Sequence, residues 1–346
     1  MSALAIELCE RGWLPDALAR LGMRRLMQQR LDDEQGPDPQ RADERYRQLL
    51  AELRDSRIAL ETDAANVQHY EVPARFFELV LGRQLKYSGC YWPQGVDSLN
   101  AAEESMLSLT TQRAELQDGQ QILELGCGWG SLTLWMARAF PASRITAVSN
   151  SSSQREFILQ RCAAENITNV EVITADVNEF STDQQFDRVV SVEMFEHMRN
   201  YHQLLANISG WLRPGGKLFV HIFCHRELMY PFETEGEDNW MGRYFFTGGL
   251  MPSVQTLEHF QEHLNIEERW MLNGRHYEQT ANAWLRNLDD HRDALMEVFA
   301  ITYGRDEAAR WLQRWRMFFM AVAELFGYRD GEEWLVAHYR FCKPAE

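Results

Sequence analysis

Three residues within five positions, Glu193, Glu196 and His197, bring together two carboxylates and an imidazole, the groups that proton transfer calls for. An imidazole titrates near neutrality, so it accepts and releases a proton at working pH, while carboxylates orient it or hold a cation. The three follow an apolar run, FDRVVSVEMF (186–195), that reads as a strand. If the chain turns helical beyond that strand, positions i, i+3 and i+4 share one face. The same run would also cap a helix and make surface ion pairs, so the residues alone leave both readings open. His221, inside the apolar run KLFVHIF (217–223), is a weaker candidate, because a histidine in an apolar strand is more often a hydrogen-bonded core residue.

A second feature is the segment QILELGCGWGS (121–131). A strand ends in Glu124-Leu125-Gly126-Cys127-Gly128-Trp129-Gly130, and a helix, SLTLWMARAF, follows directly. Glycines at alternate positions let the backbone turn sharply and approach a ligand, and a helix start offers free N–H groups. Neither the dinucleotide spacing G-x-G-x-x-G nor the lysine of a phosphate loop is present. The corner therefore suits a nucleoside with an amino-acid tail. Ser149-Asn150 ends the next strand, with Gln154 early in the following helix, where ribose hydroxyls would lie. Asp176-Val177 ends a third, where an adenine edge would lie. Many folds of this kind hold the ribose with an acidic residue at the end of the second strand; Gln154 would have to substitute here.

The elements that carry these positions alternate. Short apolar runs (QILELG, RITAVSN, VEVITADV, FDRVVSVEMF, KLFVHIF) are separated by amphipathic ones, the pattern of a mainly parallel sheet with helices on both faces. Ligands of such sheets sit beyond the carboxyl ends of the strands, which brings all three sites together. Three blocks are expected: a helical region and cofactor lid over 1–118, an α/β core over 119–225, and over 226–346 a mainly helical, aromatic-rich acceptor-binding cap together with the remaining core elements. A polar insert, DDEQGPDPQRADE, reads as an exposed loop between the first helices. The six cysteines are scattered with no CxxC pair, which disfavours a disulfide framework or a zinc site. The net charge of −16 disfavours nucleic acid and anionic lipid as partners. The interrupted apolar N-terminus lacks the pattern of a secretory peptide, and a cytoplasmic location is expected.

Eight segments carry a family resemblance: KYSGCYW (86–92), LELGCGWGSL (123–132), VSNSSSQREFI (148–158), SVEMFEHMRNY (191–201), FVHIFCHR (219–226), NWMGRYFFTGGLMPS (239–253), NGRHYEQTANAWL (273–285) and FFMAVAELFGYRDGEEW (318–334). In these the chain resembles the cyclopropane-fatty-acid-synthase superfamily of methyltransferases, above all its coclaurine and related benzylisoquinoline alkaloid N-methyltransferase branch. The resemblance implies a class I, Rossmann-like α/β fold with an N-terminal helical lid and a C-terminal cap. It implies S-adenosylmethionine as methyl donor, S-adenosylhomocysteine as product, and no metal. It places Tyr87, Ser88, Gly126, Cys127, Gly128, Asn150, Gln154, Asp176 and Val177 at the cofactor and Glu193, Glu196 and His197 at the chemistry.

The departures discriminate within the superfamily. Cyclopropane synthases typically carry glycine where this chain has Glu193, and after the Tyr-Ser pair a cysteine that helps hold bicarbonate, where this chain has Gly89. Their C-terminal tyrosine after R-M-F is also missing, since the run here is Arg316-Met317-Phe318-Phe319-Met320. The favoured activity is therefore methylation of a hydrophobic amine, with the Glu, Glu, His set assisting deprotonation. The alternative is a lipid methyltransferase of the cyclopropane-fatty-acyl-phospholipid synthase type. Trp240, Tyr244, Phe245 and Phe246, beside Gly248-Gly249, are the expected acceptor pocket, where a flat amine would stack and its cation meet ring faces. The expected partner is a small-molecule amine, with no nucleic acid and no membrane insertion, and the N-terminal helices offer a surface for a homodimer.

Overall fold

A computed structural model describes residues 3–60, 72–236 and 239–345, so the expected 1–118 region is seen apart from 1–2 and 61–71. Helices α1 (Ala3–Glu10), α2 (Asp16–Gln35), α3 (Pro39–Asp55), α4 (Ala74–Val80) and α5 (Leu99–Arg113) precede the sheet. There follow β1 (Gln121–Leu125), α6 (Ser131–Ala139), β2 (Arg144–Ser149), α7 (Ser152–Glu165), β3 (Val170–Thr174), β4 (Phe186–Val192), α8 (Tyr201–Trp211) and β5 (Leu212–His225). A short pair, β6 (Tyr230–Pro231) and β7 (Leu250–Met251), flanks α9 (Trp240–Tyr244). The chain ends with β8 (Asn265–Leu272), α10 (Arg275–Asp290), α11 (Arg292–Tyr303), α12 (Ala308–Gly327) and β9 (Trp334–Cys342).

The alternation expected for 121–225 is present strand by strand. β1 pairs in parallel with β2 and β4, β2 with β3, and β4 with β5. The full order is β3-β2-β1-β4-β5-β9-β8, with the last two strands antiparallel. The C-terminal region is thus less helical than its aromatic content suggested, since it extends the sheet by two strands. β9 is buried along nearly its whole length between β5 and β8, whereas β8 is an edge strand with mostly exposed side chains. The insert at 32–44 also departs from expectation. Helix α2 runs to Gln35 and α3 begins at Pro39, so only residues 36–38 connect them. Asp38 caps the second helix by accepting from Gln40 N–H, and proline suits the first helical position.

The N-terminal helices are fastened to the C-terminal ones. Arg20 and Arg24 of α2 both reach Glu324 of α12, and Arg316 pairs with Asp16 at 2.7 Å. The carboxylate of Glu10 in α1 is buried against Arg314 at 3.0 Å and accepts from the Trp240 indole at 2.8 Å. A carboxylate placed there must be paired, because desolvating it alone costs several kcal/mol. Around these contacts a continuous apolar cluster runs from α2 and α4 through α10 and α12. Among the described residues no helix is long and apolar enough to cross a membrane.

Candidate active site

The site begins at the glycine corner beyond β1. Gly126 has φ +77°, in the left-handed region, and a Cβ there would lie 2.9 Å from the Met194 side chain, so both backbone and space require glycine. Its N–H and that of Cys127 both donate to the carbonyl of Val148, which ties the corner to β2. Two cavities open on either side. The larger, about 180 Å³, is bordered by Tyr87, Ser88, Gly126, Cys127, Gly128, Gln154, Glu193, His197 and Phe246, among others. The smaller, about 90 Å³, is bordered by Gly126, Gly128, Ser149, Asn150, Gln154, Val177, Phe180, Glu193 and His197, again among others. A single water needs on the order of 10–15 Å³, so both are built for something larger.

Several buried polar atoms of residues lining the larger cavity, Gln154 Nε2, Ser131 Oγ and Trp129 Nε1 among them, have no hydrogen-bond partner among the described residues. Unpaired buried donors are costly, so they suit a polar ligand seated at the corner. Gln154 is oriented by Ser149, whose hydroxyl donates to its Oε1 at 2.7 Å. Asp176 lies beyond β3 and uses Oδ1 to cap its own turn, accepting from Asn178 N–H at 2.7 Å and from its side-chain amide at 2.9 Å. It borders neither cavity, whereas its neighbour Val177 borders the smaller one.

The Tyr87-Ser88 segment is held from below by Glu103 of α5. That buried carboxyl accepts from the N–H groups of Gly82, Gln84 and Lys86 at 2.9, 2.8 and 3.2 Å. Burial raises its pKa to about 7 against those bonds. The Lys86 ammonium is itself buried, donating to Gly89 O at 2.9 Å and to Ser88 Oγ, and burial holds its pKa down. Glu124, at the end of β1, also faces the larger cavity. It accepts from the Thr133 hydroxyl, and burial raises its pKa to about 8.

Beyond β4 the chain does not continue as an α-helix. Glu193 adopts φ +46°, its N–H donating to His221 O, and a single 3-10 turn spans Phe195–His197. The shared helical face considered for Glu193, Glu196 and His197 therefore does not form, and their side chains part. The Glu193 carboxylate borders both cavities. Oε1 accepts from Gly89 N–H at 2.8 Å and lies 3.1 Å from His221 Nε2, and Oε2 accepts from Tyr277 O–H at 2.7 Å. Gly89 allows this closeness, since a Cβ there would come 3.0 Å from the Tyr277 ring. Glu196 is fully buried and borders neither cavity, its Oε1 accepting from Phe223 N–H at 2.8 Å. Burial raises both carboxyls, and for Glu196 the neighbouring Glu193 adds to it. Glu193 accepts from Gly89 N–H and Tyr277 O–H and has the Lys86 cation nearby to support a charge, whereas Glu196 has only backbone N–H groups and the repulsion of Glu193. The proton of the pair belongs on Glu196, and the negative charge on Glu193. His197 borders both cavities and packs on Phe246 with ring centroids 4.5 Å apart.

The four aromatic residues expected at the acceptor separate. Phe246 borders the larger cavity, with Phe223 and Phe232 beside it. Trp240 borders a neighbouring cavity of about 360 Å³ against α2. Tyr244 lies under the Arg314 guanidinium, 4.2 Å from its ring centroid. Phe245 is fully buried, stacked on Phe318 at 4.4 Å, and borders none of these cavities. Tyr277 and Lys86 were not singled out from sequence, although each lies in a quoted segment (NGRHYEQTANAWL and KYSGCYW). Among the described residues no group of three or more His, Cys, Asp or Glu side chains is placed to hold a metal ion.

A glycine corner of this kind at the carboxyl edge of a mainly parallel, Rossmann-like sheet is the architecture of S-adenosylmethionine-dependent methyltransferases, and the chain is an enzyme of that class. It belongs to the mycolic acid cyclopropane synthetase family, whose family model matches residues 59–332. It is 40% identical over 299 residues to (S)-coclaurine N-methyltransferase of Thalictrum flavum subsp. glaucum, covering 85% of this chain and 83% of that protein. It is 28% identical over 275 residues to the cyclopropane-fatty-acyl-phospholipid synthase of Escherichia coli (strain K12), covering 79% of this chain and 67% of that protein. Its structure superposes on the crystal structure of a coclaurine N-methyltransferase bound to N-methylheliamine and SAH with a TM-score of 0.94, at 35% identity, covering 98% of this chain and 99% of that one.

Proposed function

We propose that this methyltransferase transfers a methyl group from S-adenosylmethionine to the nitrogen of a hydrophobic amine. The observation that carries the reading is the Glu193 carboxylate, supported by Gly89 N–H and Tyr277 O–H and turned toward the cavity at the glycine corner. An anion beside aromatic side chains is the partner a substituted ammonium needs, and Phe223, Phe232 and Phe246 offer faces to its hydrocarbon. When bound, S-adenosylmethionine supplies an already activated methyl group and leaves as S-adenosylhomocysteine.

The protein's own task is then placement and proton removal, since only the free lone pair of the amine attacks. Gln154, Asn150 and Val177 hold the nucleoside, and Tyr87 and Ser88 close over the other end. Glu193 fixes the ammonium, and His197, where the two cavities meet, receives the proton. Glu196 supports the turn through Phe223 N–H in its neutral form. Residues beyond 226 serve as the acceptor cap, and Phe246 is its contact with the substrate.

The test is methyl transfer from labelled S-adenosylmethionine to a panel of secondary and tertiary aromatic amines, run beside phospholipid vesicles. Label is expected in one or more amines. Label appearing only in lipid would overturn the reading.

A further inference from the structure

Behind Glu193 the polar contacts continue through the sheet in a line. His221 Nε2 lies 3.1 Å from Glu193 Oε1, His221 Nδ1 lies 3.0 Å from His338 Nε2, and His338 Nδ1 lies 2.8 Å from a guanidinium nitrogen of Arg113. The two histidines are register partners across β5 and β9, and both are fully buried. Arg113 ends α5, half-buried, with its guanidinium 4.9 Å from the Trp270 ring centroid. Burial also drives both imidazoles well below the usual histidine range, so each carries one N–H.

Donor counting gives this line a direction. A guanidinium only donates, so His338 Nδ1 must accept and the ring proton sits on Nε2. That proton points at His221 Nδ1, which in turn must accept. His221 then carries its proton on Nε2, aimed at Glu193. We propose that Arg113 and His338 are positioning residues for Glu193: the guanidinium sets the tautomer of both imidazoles in series, so that His221 always offers Glu193 a hydrogen-bond donor and never a lone pair.

Without a donor at His338 Nδ1, a second arrangement has the same bonds along the line. A protonated Glu193 would donate to His221 Nε2, His221 Nδ1–H to His338 Nε2, and His338 Nδ1–H would face outward. That state holds one proton more, taken up from water, and it disarms the carboxylate facing the acceptor. Arg113 forbids it, because two donors would then confront each other. The other groups facing this line are Lys86, Tyr277 and Glu196 around Glu193, Lys86 again toward both imidazoles, and Tyr91 and Arg340 around Arg113.

The inference rests on Glu193 as the acceptor-facing anion, but its main test needs no acceptor. The chain has 10 histidines, few enough for ring nitrogens to be resolved in a long-range proton–nitrogen correlation on histidine-labelled protein, with His221→Gln and His338→Gln used for assignment. Both rings are expected as neutral Nε2–H tautomers from about pH 6 to about pH 8.5. Arg113→Met keeps the stem over Trp270 and is expected to let both rings pass to the Nδ1–H form on the acid side, where Glu193 takes up its proton, whereas Arg113→Lys keeps a donor and the parent pattern. In kinetics, Arg113→Met should move the acid limb of kcat/KM upward by about one pH unit while the high-pH plateau stays within about twofold. An Nδ1–H or imidazolium form of either ring in the parent enzyme overturns the proposal. So does an Arg113→Met variant with parent tautomers and an unmoved acid limb.

Discussion

Replacing Tyr277 by phenylalanine removes one hydrogen bond and little else. The Tyr277 ring stacks on Phe326 with centroids 4.3 Å apart and an interplanar angle of 18°, contacts that phenylalanine keeps. What is lost is the O–H that donates to Glu193 Oε2 at 2.7 Å. A hydrogen bond to a charged group is worth roughly 1.5–3 kcal/mol, and about 1.4 kcal/mol corresponds to one pKa unit. The Glu193 carboxyl should therefore rise by about 1–2 units. In a steady-state pH profile the acid limb of kcat/KM would shift upward by that amount, with activity at high pH largely kept.

Stability should follow the same group. Burial already holds the native carboxyl above its unfolded value near 4.5, so the native state binds this proton more tightly than the unfolded chain does. Its contribution is complete below that value and is lost as pH rises through the native one. Tyr277→Phe raises the native value further, so the variant should lose melting temperature above that window and little below it. An unmoved acid limb, with a rate loss equal at every pH, would refute the placement of the negative charge on Glu193.

Three further outcomes are expected. Glu193→Gln should lower kcat/KM by about 10²-fold or more, whereas Glu196→Gln, which keeps an acceptor for Phe223 N–H, should stay within about threefold; the two rates measured side by side decide it. Phe246→Ala should raise KM for the amine several-fold with KM for S-adenosylmethionine unchanged, as initial-rate kinetics in both substrates would show. Gly126→Ala must move Met194 and hold a side chain at φ +77°, at a cost of about 1–2 kcal/mol, and calorimetry should find S-adenosylhomocysteine binding weakened at least tenfold.

The five parallel strands were legible because a sheet covered on both faces demands continuous apolar runs, and the glycine corner because its spacing has few other uses. β8 left no such trace, since the edge strand Asn265–Leu272 is mostly exposed and divides evenly between polar and apolar residues. β9 was hidden by its position after a long helical stretch, although Trp334–Cys342 is nearly all buried. The loop expected at 32–44 is mostly helix because Asp38 and Pro39 start α3 in the midst of polar residues. Around the site, the segments named the neighbourhood but not the directions. His221 is a core histidine, as read, and it also touches Glu193, because a strand position can be fully buried and still face a site through its neighbour. Glu196 turns away because the chain makes one 3-10 turn rather than a helix, a choice that i, i+3, i+4 spacing does not reveal.

The backbone at Glu193 bears on what can stand at that position. Its φ of +46° is one that a glycine adopts freely and an ordinary side chain holds at a cost of roughly 1–2 kcal/mol. The cyclopropane synthases, by the resemblance described above, carry glycine at that place. Glu193→Gly would therefore take the carboxylate from the cavity wall and leave the turn before Phe195 its conformation. What the side chain adds at this position is charge alone, held against the conformational preference of its own backbone.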